Sequence, residues 1–237
     1  MTLENAYLLL SALMTIILFY LGLTGISTSS LKVPRRKRAD LLLLLVGLIG
    51  WHVYIFLMSR SGIFTDLSFP PKFALFLILP AFLFTGLFIL RHRKKKWIQS
   101  IPPHWLIFYQ SFRVLIESLF VWSVAKNILH PNVTIEGYNY DMIFGLTALF
   151  LGGLYWKNPH KWTKVVRAWN ILGLVVIAGI IFLFMTTIYV PEMYGPNVEP
   201  FPTAFTGYPY VLVAGFLMPS AVFIHVLSHF QLKTLAA

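Results

Sequence analysis

The sequence predicts an all-α polytopic membrane protein, one domain over residues 1–237, folded as a bundle of seven transmembrane helices. Hydrophobic residues make up 58% of the chain and charged residues 11%, and the mean hydropathy is +0.75. A soluble globule of this length could not bury so much apolar surface, so the solvent must be lipid. Uninterrupted apolar runs such as Leu41 to Val46 exclude a β-barrel, because barrel strands alternate apolar and polar residues.

Seven apolar segments follow one another along the chain, and most have the roughly 20 residues that a helix needs to cross the hydrocarbon core. They cover residues 5–25, 40–59, 72–90, 105–129, 141–156, 168–190 and 208–230. The fifth is the shortest, but tyrosines before it and Tyr155 and Trp156 at its end are typical of residues at the membrane interface. We therefore predict seven spanning helices.

Positive charge falls on every second connection, which predicts the orientation. Fifteen of the 19 Lys and Arg residues lie in the first, third and fifth loops or near the C-terminus: Lys32, Arg35, Arg36, Lys37, Arg38, Arg91, Arg93, Lys94, Lys95, Lys96, Lys157, Lys161, Lys164, Arg167 and Lys233. Positive loops stay on the cytoplasmic side, so the N-terminus is expected outside and the C-terminus inside a bacterial cytoplasmic membrane. The net charge of +11 is then a topology signal that also meets membrane lipid headgroups, and no nucleic-acid partner is expected.

The fourth segment carries the clearest candidate site. Arg113 and Glu117 are four residues apart, so one helical face holds both, and Gln110 lies on the same stripe. Ionisable side chains at membrane depth are costly unless they are paired, which predicts an intrahelical ion pair facing the bundle interior. Such a pair can fix helix packing alone, or its guanidinium can hold an anionic ligand.

Three further side chains complete the predicted ligand-binding set. Asp141 is expected to begin the fifth helix, where a carboxylate favours the N-terminus, and Asn139 or Glu136 to tie the preceding loop to it. His225 in the seventh segment is the third side chain of this set, after Asp141 and Asn139. Capping alone is the alternative interpretation of Asp141.

Two other features concern the walls of the bundle. Pro80 and Pro219 predict kinks in the third and seventh helices. The sixth loop, residues 191–209, is rich in proline and aromatic residues, too apolar for a solvated linker. We expect it to fold over the outer mouth of the bundle, as a cover or as a loop resting on headgroups.

Histidines offer a metal alternative. His225 and His229 are four residues apart on one helical face, and His52 from the second segment would complete a three-histidine zinc site with water as fourth ligand. Bis-histidine haem ligation is another interpretation of the same residues. The chain has no cysteine, which excludes thiolate metal sites. No cofactor is expected in the main hypothesis, and zinc is the alternative.

The chain resembles two groups of membrane proteins. Its helix count, outside N-terminus and paired histidines are similar in part to the alkaline ceramidase and adiponectin-receptor superfamily of zinc hydrolases, although Leu48 stands where that superfamily has a serine one turn before the histidine of helix two. From the fourth segment onward it more closely resembles a family of bacterial multipass membrane proteins without an assigned activity. The matching residues are Pro103, Trp105, Gln110, Phe112, Arg113, Glu117, Glu136, Gly137, Asn139, Asp141, Gly145, Thr147, Trp169, Asn170, Pro219 and His225.

The functional hypothesis is the binding or translocation of a small or amphipathic anionic ligand through the polar site in the membrane, without catalysis. A buried Arg beside a carboxylate provides charge recognition but no pairing of nucleophile and base. A zinc-dependent intramembrane hydrolase and a structural subunit of a larger membrane complex are the alternatives.

Overall fold

The fold is helical throughout the part of the chain that the structure describes. The structure is a computed structural model that describes residues 1–28, 34–93, 95–196 and 198–235, and these contain helices and turns but no strand. The basic residues Lys32 and Lys94 lie outside the described residues. The all-α class predicted from the sequence is confirmed.

Nine α-helices are present in the described ranges. In chain order they are α1 (Leu3–Thr28), α2 (Pro34–Arg60), α3 (Leu79–His92), α4 (Lys96–Gln99), α5 (Pro103–Tyr109), α6 (Phe112–Val124), α7 (Asp141–Lys157), α8 (Pro159–Tyr189) and α9 (Met218–Leu235). Several extend beyond the predicted apolar segments; α8, for example, begins at Pro159 rather than at residue 168. Hydropathy identifies only the apolar part of a helix. The hydrogen-bonded helix can continue into the polar residues on either side, so it is longer than the apolar segment.

Five helical spans are long and apolar enough to cross a membrane: Leu3–Thr28, Arg35–Arg60, Ala74–His92, Pro159–Tyr189 and Val213–Leu235. The predicted fourth and fifth segments are not among them. The fifth corresponds to α7, which has only 17 residues. The fourth is divided into α5 and α6, of 7 and 13 residues.

The break in the fourth segment lies at Gln110 and Ser111. There the amides of Gln110 and Ser111 donate to the carbonyls of Ile107 and Phe108, three residues back, at 3.1 and 3.0 Å. This tightening ends α5, and α6 starts at Phe112. The continuous helix predicted over residues 105–129 is therefore wrong. Non-helical backbone at membrane depth is tolerated where protein buries it or a cavity adjoins it.

The two predicted proline irregularities take the form of π-turns. Residues Ala74–Ile78 form a π-turn before Pro80, and Val213–Leu217 form one before Pro219. Proline lacks an N–H and pushes against the preceding turn, so a wider turn accommodates it. In the second π-turn the carbonyl of Gly215 accepts a 2.8 Å hydrogen bond from Trp51 Nε1.

The third and fifth connections, both basic, meet the end of α9 at one end of the bundle. Gln231 near the end of α9 donates to the carbonyls of Ile98 and Ile101 at 2.7 and 2.6 Å, and Arg93 lies 5.7 Å from the ring centroid of Phe230. His229 Nδ1 lies 3.4 Å from the Arg167 carbonyl. We call this the basic end.

The opposite end contains the start of the chain. Tyr210, which precedes α9, donates a 3.0 Å hydrogen bond to Glu4 at the start of α1. Because α9 runs from this region to Leu235, the two ends of the described chain lie at opposite ends of the bundle. In the most apolar stretch of the α9 span 61% of residues are buried, against 6% in α2, so α9 is central and α2 peripheral.

Helix α7 packs antiparallel to α5 and α6. A Cβ added to Gly152 would lie 2.6 Å from the Phe108 ring, and one added to Gly145 would lie 2.9 Å from Arg113 Cβ. Asp141, one turn before Gly145, is then level with Glu117. Since α6 continues seven residues beyond Glu117, α7 starts about 10 Å short of the end of α6 at 1.5 Å per residue. The connection between them folds back into the bundle.

Candidate functional site

Arg113 is paired across helices rather than along its own helix. Its Nη1 lies 3.2 Å from Oδ1 of Asp141, the first residue of α7. Only 2% of Arg113 and 8% of Asp141 are exposed. The contact is an ion pair without hydrogen-bond geometry, and both Nη atoms of Arg113 and Oδ1 of Asp141 lack hydrogen-bond partners. The predicted intrahelical pair with Glu117 is wrong, because the short α7 brings another carboxylate to the guanidinium.

Glu117 is instead held by the connection between α6 and α7. The backbone amide of Ile135 donates to Oε1 at 2.5 Å, and the Asn139 side-chain amide donates to Oε2 at 3.1 Å. Both carboxylate oxygens therefore accept from N–H donors, and the residue is 1% exposed. Glu117 anchors a loop that would otherwise leave backbone groups unsatisfied inside the bundle.

Asn139 joins the two acidic residues. Its Nδ2 donates to Glu117 and to the Val133 carbonyl, each at 3.1 Å, while its Oδ1 accepts from the backbone N–H of Asp141 at 3.0 Å. The tie between loop and helix that the sequence predicted is thus made by Asn139. Asp141 begins α7 as predicted, but its carboxylate points to Arg113 rather than acting as the cap.

The other face of the Arg113 guanidinium meets an aromatic cluster that contains His225. Arg113 Cζ lies 4.9 Å from the Phe144 ring centroid, and Phe144 contacts the rings of Trp169 and His225 at 4.7 and 5.7 Å. A cation above an aromatic face is attracted by the ring quadrupole. His225 is therefore a neighbour of Arg113 through Phe144.

His225 is held in one orientation by Asn170. Asn170 Nδ2 donates to Ser228 Oγ at 2.9 Å, which leaves its Oδ1 to accept from His225 Nδ1 at 2.9 Å. In the neutral ring Nε2 is then the unprotonated nitrogen, and it has no partner. Gly173 permits this packing, since an added Cβ would lie 2.4 Å from Nε2.

Gln110 lies at the helix break and faces α9. Its Nε2 donates to the Ala221 carbonyl at 3.0 Å, and its Oε1 is buried without a partner. It does not line the cavity beside Arg113. Gln110 therefore joins α5 to α9 instead of extending the Arg113 site.

A cavity of about 100 Å³ adjoins Arg113. Its polar lining consists of Arg113, Asn139, Asp141 and Thr206. The remaining lining is apolar and comes mainly from α6, α8, α9, the two π-turns and the sixth loop, including Phe112, Ile116, Phe120, Ile177, Ile181, Phe184, Ile188, Phe201, Phe205, Ala214, Leu217, Met218 and Ala221. One polar patch in an apolar wall is the arrangement that an amphipathic molecule fits.

The sixth loop covers this cavity. Phe201, Phe205 and Thr206 line it, and Phe205 contacts the rings of Phe120 and Phe184 at 5.8 and 5.9 Å. A short 3-10 turn over Thr203–Thr206 places Phe205 and Thr206. The expectation that this loop folds over the bundle is met at the end opposite the basic end.

The three histidines of the zinc alternative do not come together. His52 Nε2 lies 3.2 Å from Thr15 Oγ1 and its Nδ1 lies 3.0 Å from the Leu48 carbonyl, whereas His225 faces Asn170 and His229 faces the Arg167 carbonyl. Within the described ranges no group of three or more His, Cys, Asp or Glu side chains is placed to hold a metal. The hydrogen bonds of these histidines give each a packing role.

Sequence reasoning missed three features of the site. The first is backbone, the N–H of Ile135, whose position depends on how the loop folds. The second is the apolar cavity wall, such as Ile177 and Phe184, which hydropathy cannot distinguish from lipid-facing residues of α8. Ring contacts such as that between Arg113 and Phe144 have no sequence signal either, because the residues come from different helices.

No protein-family model matches the chain, no curated protein matches it significantly, and no solved structure matches it. The resemblance to a family of bacterial multipass proteins stays a prediction.

Proposed function

We propose that this chain is a seven-helix protein of a bacterial cytoplasmic membrane, with its N-terminus outside, that binds a small amphipathic anion at Arg113. Seven crossings require α7 and the α5–α6 pair to cross in addition to the five long spans. The placement of the basic third and fifth connections with the end of α9 at one end, and of Glu4 at the other, supports this topology.

The single observation that carries the ligand proposal is the state of the Arg113 side chain. It is buried, it lines the cavity, and its Nη2 has no partner. A buried guanidinium usually satisfies its donors, because leaving them unpaired in a medium of low polarity is costly. An anionic group in the cavity would meet that requirement through the planar donor pair.

The broken helix adds to the attraction for an anion. Helix α6 begins at Phe112, so Arg113 belongs to its first turn. The amides of Arg113 and Val114 already donate to the carbonyls of Gln110 and Ser111, and the contribution to anion binding is therefore the field of the helix dipole near the guanidinium. Half-helices whose N-termini face a cavity are a common solution for anion binding inside membrane proteins. The arrangement favours a negative headgroup at this depth.

The size and shape of the cavity indicate the rest of the ligand. The volume of about 100 Å³ is somewhat smaller than that of an engineered apolar cavity of about 150 Å³ that binds benzene, and is enough for a compact headgroup. Lining residues on α8 from Ile177 to Ile188 form an apolar strip about 16 Å long at 1.5 Å per residue. A single short alkyl chain lying along this strip fits better than a two-chain lipid.

The test compares two probes with the same ten-carbon chain, one with an anionic and one with a neutral headgroup. Purified protein in nanodiscs of zwitterionic lipid is titrated with decane-1-sulfonate and with decan-1-ol, and empty nanodiscs correct for partition into lipid. We expect the sulfonate to bind at least tenfold more tightly than the alcohol.

A paired variant removes the charge recognition without leaving a buried charge alone. Arg113→Gln combined with Asp141→Asn keeps a polar contact and should bind the two probes equally. Equal binding by the unaltered protein, or a preference that persists in the double variant, would rule out Arg113 as the recognition element.

A further inference from the structure

The Arg113 site contains more carboxyl groups than cations, and this excess opposes the binding of an anion. The inference drawn from it rests on the proposed function. The site holds one cation, Arg113, and two carboxyl groups, Glu117 and Asp141, all at most 8% exposed. An anionic headgroup would be a third negative charge next to one positive charge. Like charges within a few ångströms repel strongly where water is excluded.

The two carboxyl groups differ in how they are held. Both oxygens of Glu117 accept hydrogen bonds, from Ile135 N–H and Asn139 Nδ2. Protonation of either oxygen would weaken the hydrogen bond that this oxygen accepts. Asp141 Oδ1 accepts none and faces only the Arg113 guanidinium at 3.2 Å. Proton uptake at Asp141 therefore breaks no hydrogen bond made by its Oδ1.

Other titratable groups surround the pair from the neighbouring helices. Tyr7 of α1 lies near Glu117 and donates to or accepts from Ser123 at 2.8 Å. His225 of α9 faces Asn170 and lies near Arg113. Tyr210, beside Tyr7 with ring centroids 5.1 Å apart, donates to Glu4. The tyrosines are neutral near neutral pH. The unprotonated His225 Nε2 packs against Gly173 of α8, so a proton added there would find no acceptor.

We propose that binding of an anion at Arg113 is coupled to the uptake of one proton by Asp141. In the empty site the Asp141 carboxylate neutralises Arg113. When an anion enters, it replaces Asp141 as the partner of the guanidinium, and the Asp141 carboxylate takes one proton from solution to become a neutral carboxyl group. One negative charge enters and one positive charge accompanies it, so the net charge of the site is unchanged.

A sulfonate probe makes the proton count unambiguous. Decane-1-sulfonate is the anion of a strong acid and carries no proton itself, so any uptake belongs to the protein. Calorimetric titration of the protein in zwitterionic nanodiscs is repeated in phosphate and in Tris, whose ionisation enthalpies differ, and the difference in heat gives the protons taken up per ligand. We expect about one proton near pH 7.5, and an affinity that falls about tenfold per pH unit between pH 7.5 and 8.5.

Two variants assign the proton to a residue. Asp141→Asn mimics the protonated state, so it should bind the sulfonate without proton uptake and with an affinity that does not change with pH. Glu136→Gln, at an exposed position of the same connection, is the matched control and should retain the uptake. If Asp141→Asn does not fold, the proton count and pH slope of the unaltered protein still decide whether a proton is coupled.

The outcomes separate the two proposals. Sulfonate binding with no proton uptake would overturn the coupling and leave the anion site in place. Uptake that persists in Asp141→Asn would overturn the assignment to that residue. No preference for the sulfonate over decan-1-ol would overturn both proposals together.

Discussion

Asn139 donates a 3.1 Å hydrogen bond to Glu117, and this bond joins the connection before α7 to the middle of α6. The same side chain accepts from the amide of Asp141, so it fixes where α7 begins. Together with the close contact between Gly145 and Arg113, the Asn139 side chain thus places the Asp141 carboxylate beside the guanidinium.

Replacing Asn139 with Ala should destabilise the fold and loosen the site. The change removes three hydrogen bonds, one of them to a carboxylate, and leaves Glu117 with one donor. Loss of buried hydrogen bonds of this kind costs about 2–3 kcal/mol. Thermal unfolding followed by circular dichroism measures the loss. The neighbouring Tyr138→Phe, at an exposed position, should change the stability by less than about 0.5 kcal/mol, and equal effects of the two changes would contradict the role of Asn139.

Two glycines of α8 should respond oppositely to alanine. At Gly173 the added Cβ would lie 2.4 Å from the His225 ring, whereas at Gly179 nothing lies within 4 Å. Overpacking a close helix contact costs about 1–3 kcal/mol, so Gly173→Ala should lower the melting temperature. Gly179→Ala should leave it unchanged or raise it slightly, since alanine favours helix over glycine. A neutral Gly173→Ala would mean that α8 and α9 are not packed this closely.

The hydrogen bond from Trp51 to the π-turn should contribute measurably to stability. Trp51 Nε1 donates to the Gly215 carbonyl at 2.8 Å, and Trp51→Phe keeps an aromatic ring while leaving that carbonyl without its donor. The expected cost is about 1 kcal/mol, measured as the shift of the thermal unfolding midpoint. Trp156→Phe serves as control because Trp156 is exposed. If the two variants unfold alike, the carbonyl has another partner.

His130 should make the α6–α7 connection sensitive to acid. Its Nδ1 accepts from the backbone N–H of Asn132 at 3.1 Å, and burial lowers the pKa of His130 below its usual 6.5, against a smaller opposing effect of Glu199. As the pH falls through 6.5, the unfolded chain binds the proton first, so stability is lost down to the lower pKa of the folded protein.

His130→Asn keeps an acceptor for the Asn132 amide but does not titrate. Melting temperatures between pH 7.5 and 5.5 should therefore fall more steeply for the unaltered protein than for the variant. Identical pH dependence in the two proteins would show that His130 does not contribute.

Much of the architecture followed from the sequence because the relevant signals are local. Apolar runs that do not alternate define helices in lipid, and Pro80 and Pro219 disturb their own helices whatever packs beside them. The set Arg113, Glu117, Asn139 and Asp141 was identified because polar side chains among apolar ones are conspicuous. The order of helices along the chain needed no tertiary information.

The partners within that set were decided only by the tertiary structure. Spacing predicted that Arg113 meets Glu117, but α7 starts at the level of Glu117, so Asp141 reaches the guanidinium and the loop amides take Glu117. The break at Gln110 and Ser111 and the separation of the three histidines have the same origin. Sequence periodicity places residues on a helical face, whereas the choice among partners depends on how helices distant in the chain pack and which buried polar groups remain to be satisfied.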